Sequence, residues 1–145
     1  MNQVEEAFDR FIRGKGLKLT SQRKKILKAV FHTHRHFTAD ELYDMLHHER
    51  LRISRATIYR TLSLLEEGKF LESLDVGKDS KYYEHIMGHA HHDHMICVNC
   101  GKFIEFRDDN IEALQDQVSR SHGFLVTSHS LKIFGLCKSC RPRSR

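Results

Sequence analysis

Cys97-x-x-Cys100 and Cys137-x-x-Cys140 are the residues whose types and spacing most clearly encode chemistry in this chain. Each pair can turn two thiolates toward one ion, and four thiolates complete a tetrahedral zinc shell with sulfur at about 2.3 Å. Such a shell keeps no open position, so its role is structural: it clips the end of the chain back onto the segment that holds Cys97. Disulfides or a thioredoxin-like redox pair are the competing uses, and both fit poorly with two close pairs and no βαβ pattern.

Twelve histidines form the second signal, densest in His89-Ala90-His91-His92-Asp93-His94. This run leads into Met95-Ile96-Cys97, which reads as a strand, and successive strand side chains face opposite sides. His92 and His94 then share one face, and His91 and Asp93 the other, so one strand can serve two divalent-ion sites. Glu84, Glu105, Glu112 and His129 have suitable chemistry to complete them, but spacing alone does not assign them. His89-x-His91-x-Asp93-His94 also matches formally a motif of zinc hydrolases. That motif needs a longer α/β sandwich around it, and a solvated histidine loop or a metal store would use the residues differently again.

The elements that must position these groups fall into two stretches, an α+β arrangement. Up to about residue 67, apolar residues recur at helical spacing. Phe8, Phe11 and Ile12 mark a first helix ended by Gly14 and Gly16, and Thr20 opens a second with Ile26, Leu27 and Val30. Thr38-Ala39-Asp40-Glu41 fits a capping box before Leu42, Met45 and Leu46. Ser54 caps a fourth helix that buries Ile58, Leu62 and Leu65 and is closed by Gly68. Phe70 to Val76 and Lys81 to Glu84 read as strands joined across Gly77-Lys78-Asp79-Ser80. Together these form a winged helix, predicted over 1–86. On its fourth helix Ala56, Tyr59, Arg60 and Ser63 lie opposite the apolar stripe, an outward face that fits a DNA major groove. There Arg60 can pair with guanine or phosphate, and Tyr59 can pack on a thymine methyl.

A second small domain is predicted over 87–145, after a hinge at Ile86-Met87-Gly88-His89-Ala90. It has a strand at Lys102 to Phe106, a helix from Asp108 to about Ser121 with Ile111, Leu114 and Val118 on one stripe, and a long strand from Phe124 to Phe134. With 145 residues and two small interiors, each part needs a metal or a partner subunit to be stable. The net charge of +5 suits an anionic partner. No apolar run reaches the roughly 18 residues of a membrane span, and MNQVEEAFDRF carries acids where a secretory signal would be apolar, so a cytoplasmic protein without membrane attachment is expected.

These residues resemble the ferric uptake regulator family along nearly the whole chain. The stretches that carry the resemblance are Gly16 to Arg23, His36 to Tyr43, Ala56 to Arg60, His91 to Cys97 and Cys100 to Phe106. The resemblance implies a regulatory metal site from His36, Glu84, His92, His94 and Glu105 that joins the two domains. It implies an additional site from His91, Asp93, Glu112 and His129, and structural Zn2+ at the four cysteines. The segment from Glu84 to His92 runs one residue longer than in the best-known members, which leaves His85 as an alternative to Glu84, and His32 and His34 lie close to His36. Peroxide-sensing relatives usually carry Asp where Glu84 and Glu105 stand.

The implied function is non-enzymatic: a homodimeric repressor of iron uptake and homeostasis genes. It would respond to Fe2+, with Mn2+, Co2+ or Zn2+ able to substitute in vitro, and would bind an A·T-rich palindromic double-stranded operator. By the same resemblance Tyr59 and Arg60 read bases and Lys15 enters a minor groove, while Arg55 and Lys69 would position phosphates. A zinc-, manganese- or peroxide-responsive regulator is the alternative within the family.

Overall fold

A computed structural model describes residues 2–76, 81–86 and 90–143. The chain forms two compact units, Met1–His89 and Ala90–Arg145. The predicted turn at 77–80 and the hinge residues 87–89 lie outside the described residues, as do residues 144 and 145.

In the first unit the elements run α1 (Asn2–Gly14), α2 (Ser21–His32), β1 (Phe37–Thr38), α3 (Ala39–His48), α4 (Arg55–Glu67), β2 (Leu71–Asp75) and β3 (Lys81–His85). Their starts follow the capping residues. Thr20 accepts from the Arg23 N–H, and Ser54 from the Thr57 N–H. Thr38 accepts from the Glu41 N–H at 3.2 Å while the Glu41 carboxylate accepts from the Thr38 N–H at 2.9 Å, each cap contributing about 1 kcal/mol.

The ends share one device. After α1 the Leu17 N–H reaches the Ile12 carbonyl and the Gly16 N–H the Arg13 carbonyl, with Gly16 at φ +73° and Lys15 as the last half-helical residue. The same pair of bonds ends α3 around Arg50 (φ 58°) and α4 around Lys69 (φ 61°). Gly68, predicted as the closing glycine, does not take the left-handed turn; Lys69 does. Gly68 serves space instead, since a Cβ there would come within 2.6 Å of the Phe70 ring.

Phe8, Ile12, Ile26, Leu27, Val30, Phe37, Leu42, Leu46, Ile58, Leu62, Leu65, Phe70 and Leu71 form the buried core of this unit. Met45 and Phe11 are only partly buried against it. The hairpin is a three-stranded antiparallel sheet in the order β1-β3-β2, with Phe37 opposite Tyr83 and Leu74 opposite Tyr82. Strand β1, at two residues, is too short to leave a period in sequence.

The second unit contains β4 (Asp93–Cys97), β5 (Phe103–Phe106), α5 (Asp109–Ser121) and β6 (Lys132–Gly135). Asp108 caps α5 by accepting from the Asn110 and Ile111 N–H groups. The sheet order is β5-β4-β6, with β5 antiparallel and β6 parallel to β4. The strand predicted from Phe124 to Phe134 is therefore corrected to Lys132–Gly135. A ladder can run only as far as its partner: β4 has five residues, pairing with β6 begins at His94 and Lys132, and the next N–H, that of Leu131, is given to the Asp93 carboxylate. The α5 stripe is likewise not covered within the chain: Leu114 and Val118 are exposed, together with Phe124 and Leu125. Among the described residues of this unit only Ile96 and Cys97 are buried apolar residues, so it has scarcely any core of its own.

Candidate functional site

Parallel pairing sets Cys97 at the end of β4 opposite Gly135, which carries Cys137 beside it. The Cys137 N–H donates to Cys97 Sγ at 3.4 Å, and Cys100 Sγ lies 3.7 Å from Cys137 Sγ. Gly101, at φ +73°, lets the chain turn back after Cys100, and the Cys140 N–H returns to the Cys137 carbonyl. All four sulfurs lie within 4.8 Å of one another. A tetrahedral ion with sulfur at about 2.3 Å needs sulfurs about 3.8 Å apart, so the donor set fits zinc. Backbone hydrogen bonds at Cys100 and then Cys137 pull the Cys97 thiol down to about 6, so that it ionises near neutrality. Cys140 is pushed up to about 11: the Asn99 side chain favours its thiolate, but the hydrogen bonds it shares with Cys137 and Cys100 outweigh that. Thiolate is the ligating form, so Cys97 and Cys137, whose thiols are lowered, are disposed to ligate, whereas Cys140 gives up its proton only to a cation.

On one side of the same strand, His91, Asp93, Glu112 of α5 and His129 converge, their donor atoms all within 4.8 Å. His91 Nε2 is 3.2 Å from Glu112 and 3.5 Å from Asp93, and His129 Nε2 is 3.2 Å from Glu112. The Asp93 side chain is fully buried. Its Oδ1 accepts from the Leu131 N–H, while Oδ2 has no hydrogen-bond partner among the described residues. An unsatisfied buried carboxylate oxygen is costly, and two imidazoles and two carboxylates are an N/O set suited to a divalent ion. The residues present therefore fit a metal.

The predicted regulatory residues fall on both units. In the second unit His94 pairs opposite Glu105 across β4 and β5, the His92 and His94 rings are 4.9 Å apart, and His92 Nε2 is 4.0 Å from Glu105. In the first unit His36 precedes Phe37, whose pairing with Tyr83 brings Glu84 alongside: His36 Nε2 and Glu84 Oε2 are 3.2 Å apart. Alternation along β3 sends His85 to the other face, buried 5.0 Å from the Phe31 ring and 5.5 Å from the His34 ring. The structure thus brings His36 to Glu84 and not to His85. His32 is bonded to the Lys28 carbonyl, and His122 to the carbonyl of Val118 at the end of α5.

A family model described as "Ferric uptake regulator family" matches residues 14–134. The chain belongs to the ferric uptake regulator family. It is 42% identical over 137 residues to the ferric uptake regulation protein of Campylobacter jejuni, an alignment covering 93% of this chain and 87% of that one. The solved ferric uptake regulator of Helicobacter pylori, described as having three functional metal binding sites, is 32% identical with a TM-score of 0.79, covering 97% of this chain and 95% of that one. The Francisella tularensis regulator, solved with iron, is 36% identical with a TM-score of 0.75, covering 88% and 96%. Membership places the chain among regulators rather than enzymes, which removes the hydrolase reading of the histidine run.

As in a regulator that reads DNA with one helix, α4 has two contrasting faces. Ile58, Thr61, Leu62 and Leu65 are buried, and Ala56, Tyr59, Arg60 and Ser63 are exposed. Lys15 is held near Glu67 and lies 5.6 Å from the Phe11 ring. Arg55 is paired with Asp40 and stacked on Tyr43. Glu66, near the end of α4, accepts from Ser73 of β2 and from Lys81 of β3 at 2.8 Å, tying the helix to both strands. Sequence reasoning missed these last two arrangements, because their members lie on different elements and no local spacing links them. Among the described residues no helix is long and apolar enough to cross a membrane.

Proposed function

We propose that this protein is a cytoplasmic, Fe2+-responsive homodimeric repressor of iron uptake and homeostasis genes, acting at an A·T-rich palindromic operator. Residues 1–86 form its DNA-binding winged helix, and residues 87–145 its dimerisation and metal-binding domain. Cys97, Cys100, Cys137 and Cys140 hold structural Zn2+. His36, Glu84, His92, His94 and Glu105 hold the regulatory ion, for which Mn2+, Co2+ or Zn2+ can stand in because the site is an N/O set without thiolate. His91, Asp93, Glu112 and His129 hold a further ion. The observation that carries this reading is β4 with the two residues that lead into it: His91 and Asp93 belong to one donor group, His92 and His94 lie by Glu105, and Cys97 at the end of the strand belongs to the thiolate set.

The exposed apolar residues Leu114, Val118, Phe124 and Leu125 support pairing with a second copy, which would give the second unit the core it lacks. Two copies present two α4 helices to two half-sites. Tyr59 and Arg60 then reach base edges, Lys15 an A·T-rich minor groove, and Arg55 a phosphate. A bound divalent ion supplies charge that donors of both units can share. His36 and Glu84 on one unit, and His92, His94 and Glu105 on the other, thereby restrict the spacings the dimer samples to those that match both half-sites. Moving such an equilibrium from 1:99 to 99:1 needs about 5.5 kcal/mol of differential binding, well within a multidentate site's reach.

The test is operator affinity measured anaerobically with zinc retained, with Fe2+ or Mn2+ and then with a chelator too weak to strip the cysteines. Binding that depends on the added ion, and is lost in His36→Ala, supports the proposal. Equal affinity in both conditions overturns it.

A further inference from the structure

We infer that Asp40 and Tyr43 are positioning residues that hold the Arg55 guanidinium ready for a DNA phosphate; the inference rests on the DNA-binding reading of α4. Arg55 is the first residue of α4, and its side chain is 54% exposed. One terminal nitrogen of the guanidinium donates to Asp40 Oδ1, and the guanidinium carbon lies 4.1 Å from the Tyr43 ring centroid. Tyr43 is itself stacked on His47, with ring centroids 4.6 Å apart. Asp40, Tyr43 and His47 follow one another at spacings of three and four along α3, so they share a face of that helix. Carboxylate, ring and imidazole thus form a rack on one helix for a cation at the start of the next.

An arginine left free in solvent must surrender most of its rotamer freedom when it grips a phosphate, and here much of that freedom is already gone. The guanidinium has five N–H donors in a planar fork. Asp40 is bonded at a single nitrogen, which leaves donors for a phosphate oxygen, and that bond together with the Tyr43 ring contact restricts where they point. The opposite role is also conceivable in electrostatic terms: Asp40 would compete with DNA for Arg55 and weaken binding. The two roles differ in sign. Removing a negative charge from a DNA-facing surface tightens binding by itself, so a net loss on removing Asp40 is opposite in sign to competition with DNA.

The experiment measures affinity of the full-length, metal-loaded protein for an operator duplex and a scrambled duplex by fluorescence anisotropy, from 50 to 200 mM salt. Arg55→Ala is expected to weaken both duplexes alike and to lower the slope of log affinity against log salt by about 0.9, so that affinity falls about 3.5-fold less across that range. Asp40→Ala is expected to weaken both duplexes with the slope kept, since the Arg55 charge remains. In the Arg55→Ala background it should no longer weaken binding, only the small tightening from the lost negative charge remaining, which a merely structural role would not predict. Asp40→Asn retains an acceptor and should bind at least as tightly as wild type. Asp40→Ala binding as tightly as wild type or tighter, with Arg55→Ala weakened, overturns the positioning role. If Arg55→Ala leaves affinity and slope unchanged, the phosphate contact itself is wrong and the positioning role falls with it.

Discussion

Replacing Asp93 by asparagine should make the second unit more stable without a divalent ion and less stable with one. The wild-type side chain is fully buried, Oδ1 has the Leu131 N–H, and Oδ2 has no partner among the described residues. Leaving a buried acceptor unsatisfied costs about 1–3 kcal/mol, and more for a charged group. Asp93→Asn keeps the acceptor for Leu131 and removes the charge, so the ion-free protein should gain about 1–3 kcal/mol. At about 4–8 °C per kcal/mol for a unit of this size class, the gain is readable in a thermal melt. An ion at 100 times its Kd stabilises the wild type by about 2.7 kcal/mol, and a variant that has lost one of its two carboxylate ligands should forfeit most of that. The two titration curves therefore cross.

The assay is thermal unfolding by circular dichroism against Mn2+, with zinc retained, in a Glu105→Ala background that weakens the neighbouring donor group. If the variant melts below the parent without Mn2+, or gains as much as the parent when Mn2+ is added, the buried carboxylate is not waiting for a cation and the reasoning fails.

Cys137→Ser leaves three thiolates, so zinc content should drop below one per chain and the melting transition of the second unit should fall or vanish, as metal analysis and calorimetry would show. Arg60→Ala should cost about 1–3 kcal/mol of operator affinity and narrow the gap between operator and scrambled DNA in competition titrations. Arg50→Gly should stabilise the first unit by about 0.5–1 kcal/mol in urea, because Arg50 holds the left-handed position that ends α3. Glu66→Gln tests a pH linkage. Burial pushes the Glu66 carboxyl up, but hydrogen bonds from Lys81 and Ser73 outweigh it and lower the net value below 4.5. A depressed carboxyl stabilises the fold above its unfolded value and loses that contribution as pH falls through its folded value. The variant should thus lose about 0.5 kcal/mol at pH 7, a figure kept small by solvent screening, and progressively less as pH falls through the folded value of Glu66. On the alkaline side Lys81, raised above 10.5 chiefly by its Glu66 hydrogen bond, keeps its share of the pair below 10.5 and loses it as pH rises past its folded value.

Much of this protein is written in short-range rules. Thr20, Thr38, Ser54 and Asp108 start helices because a side-chain oxygen can reach an N–H two or three residues on. Alternation along β4 divides Asp93 from His94, and paired cysteines announce a metal before any fold is known. What tertiary structure decided are relations between residues far apart in the chain. Glu84 and His85 are chemically eligible neighbours, and only the register of β3 against β1 turns Glu84 to His36 and His85 to Phe31. Phe124 to Leu131 has a strand's composition, yet β4 is too short to pair it. Gly68 has the look of a helix stop, but the left-handed turn falls on Lys69, and a neighbouring ring is what excludes a side chain at Gly68. Spacing along a chain determines what a residue can do within a turn or a strand, whereas register and packing, set by the whole fold, determine which eligible residue meets its partner.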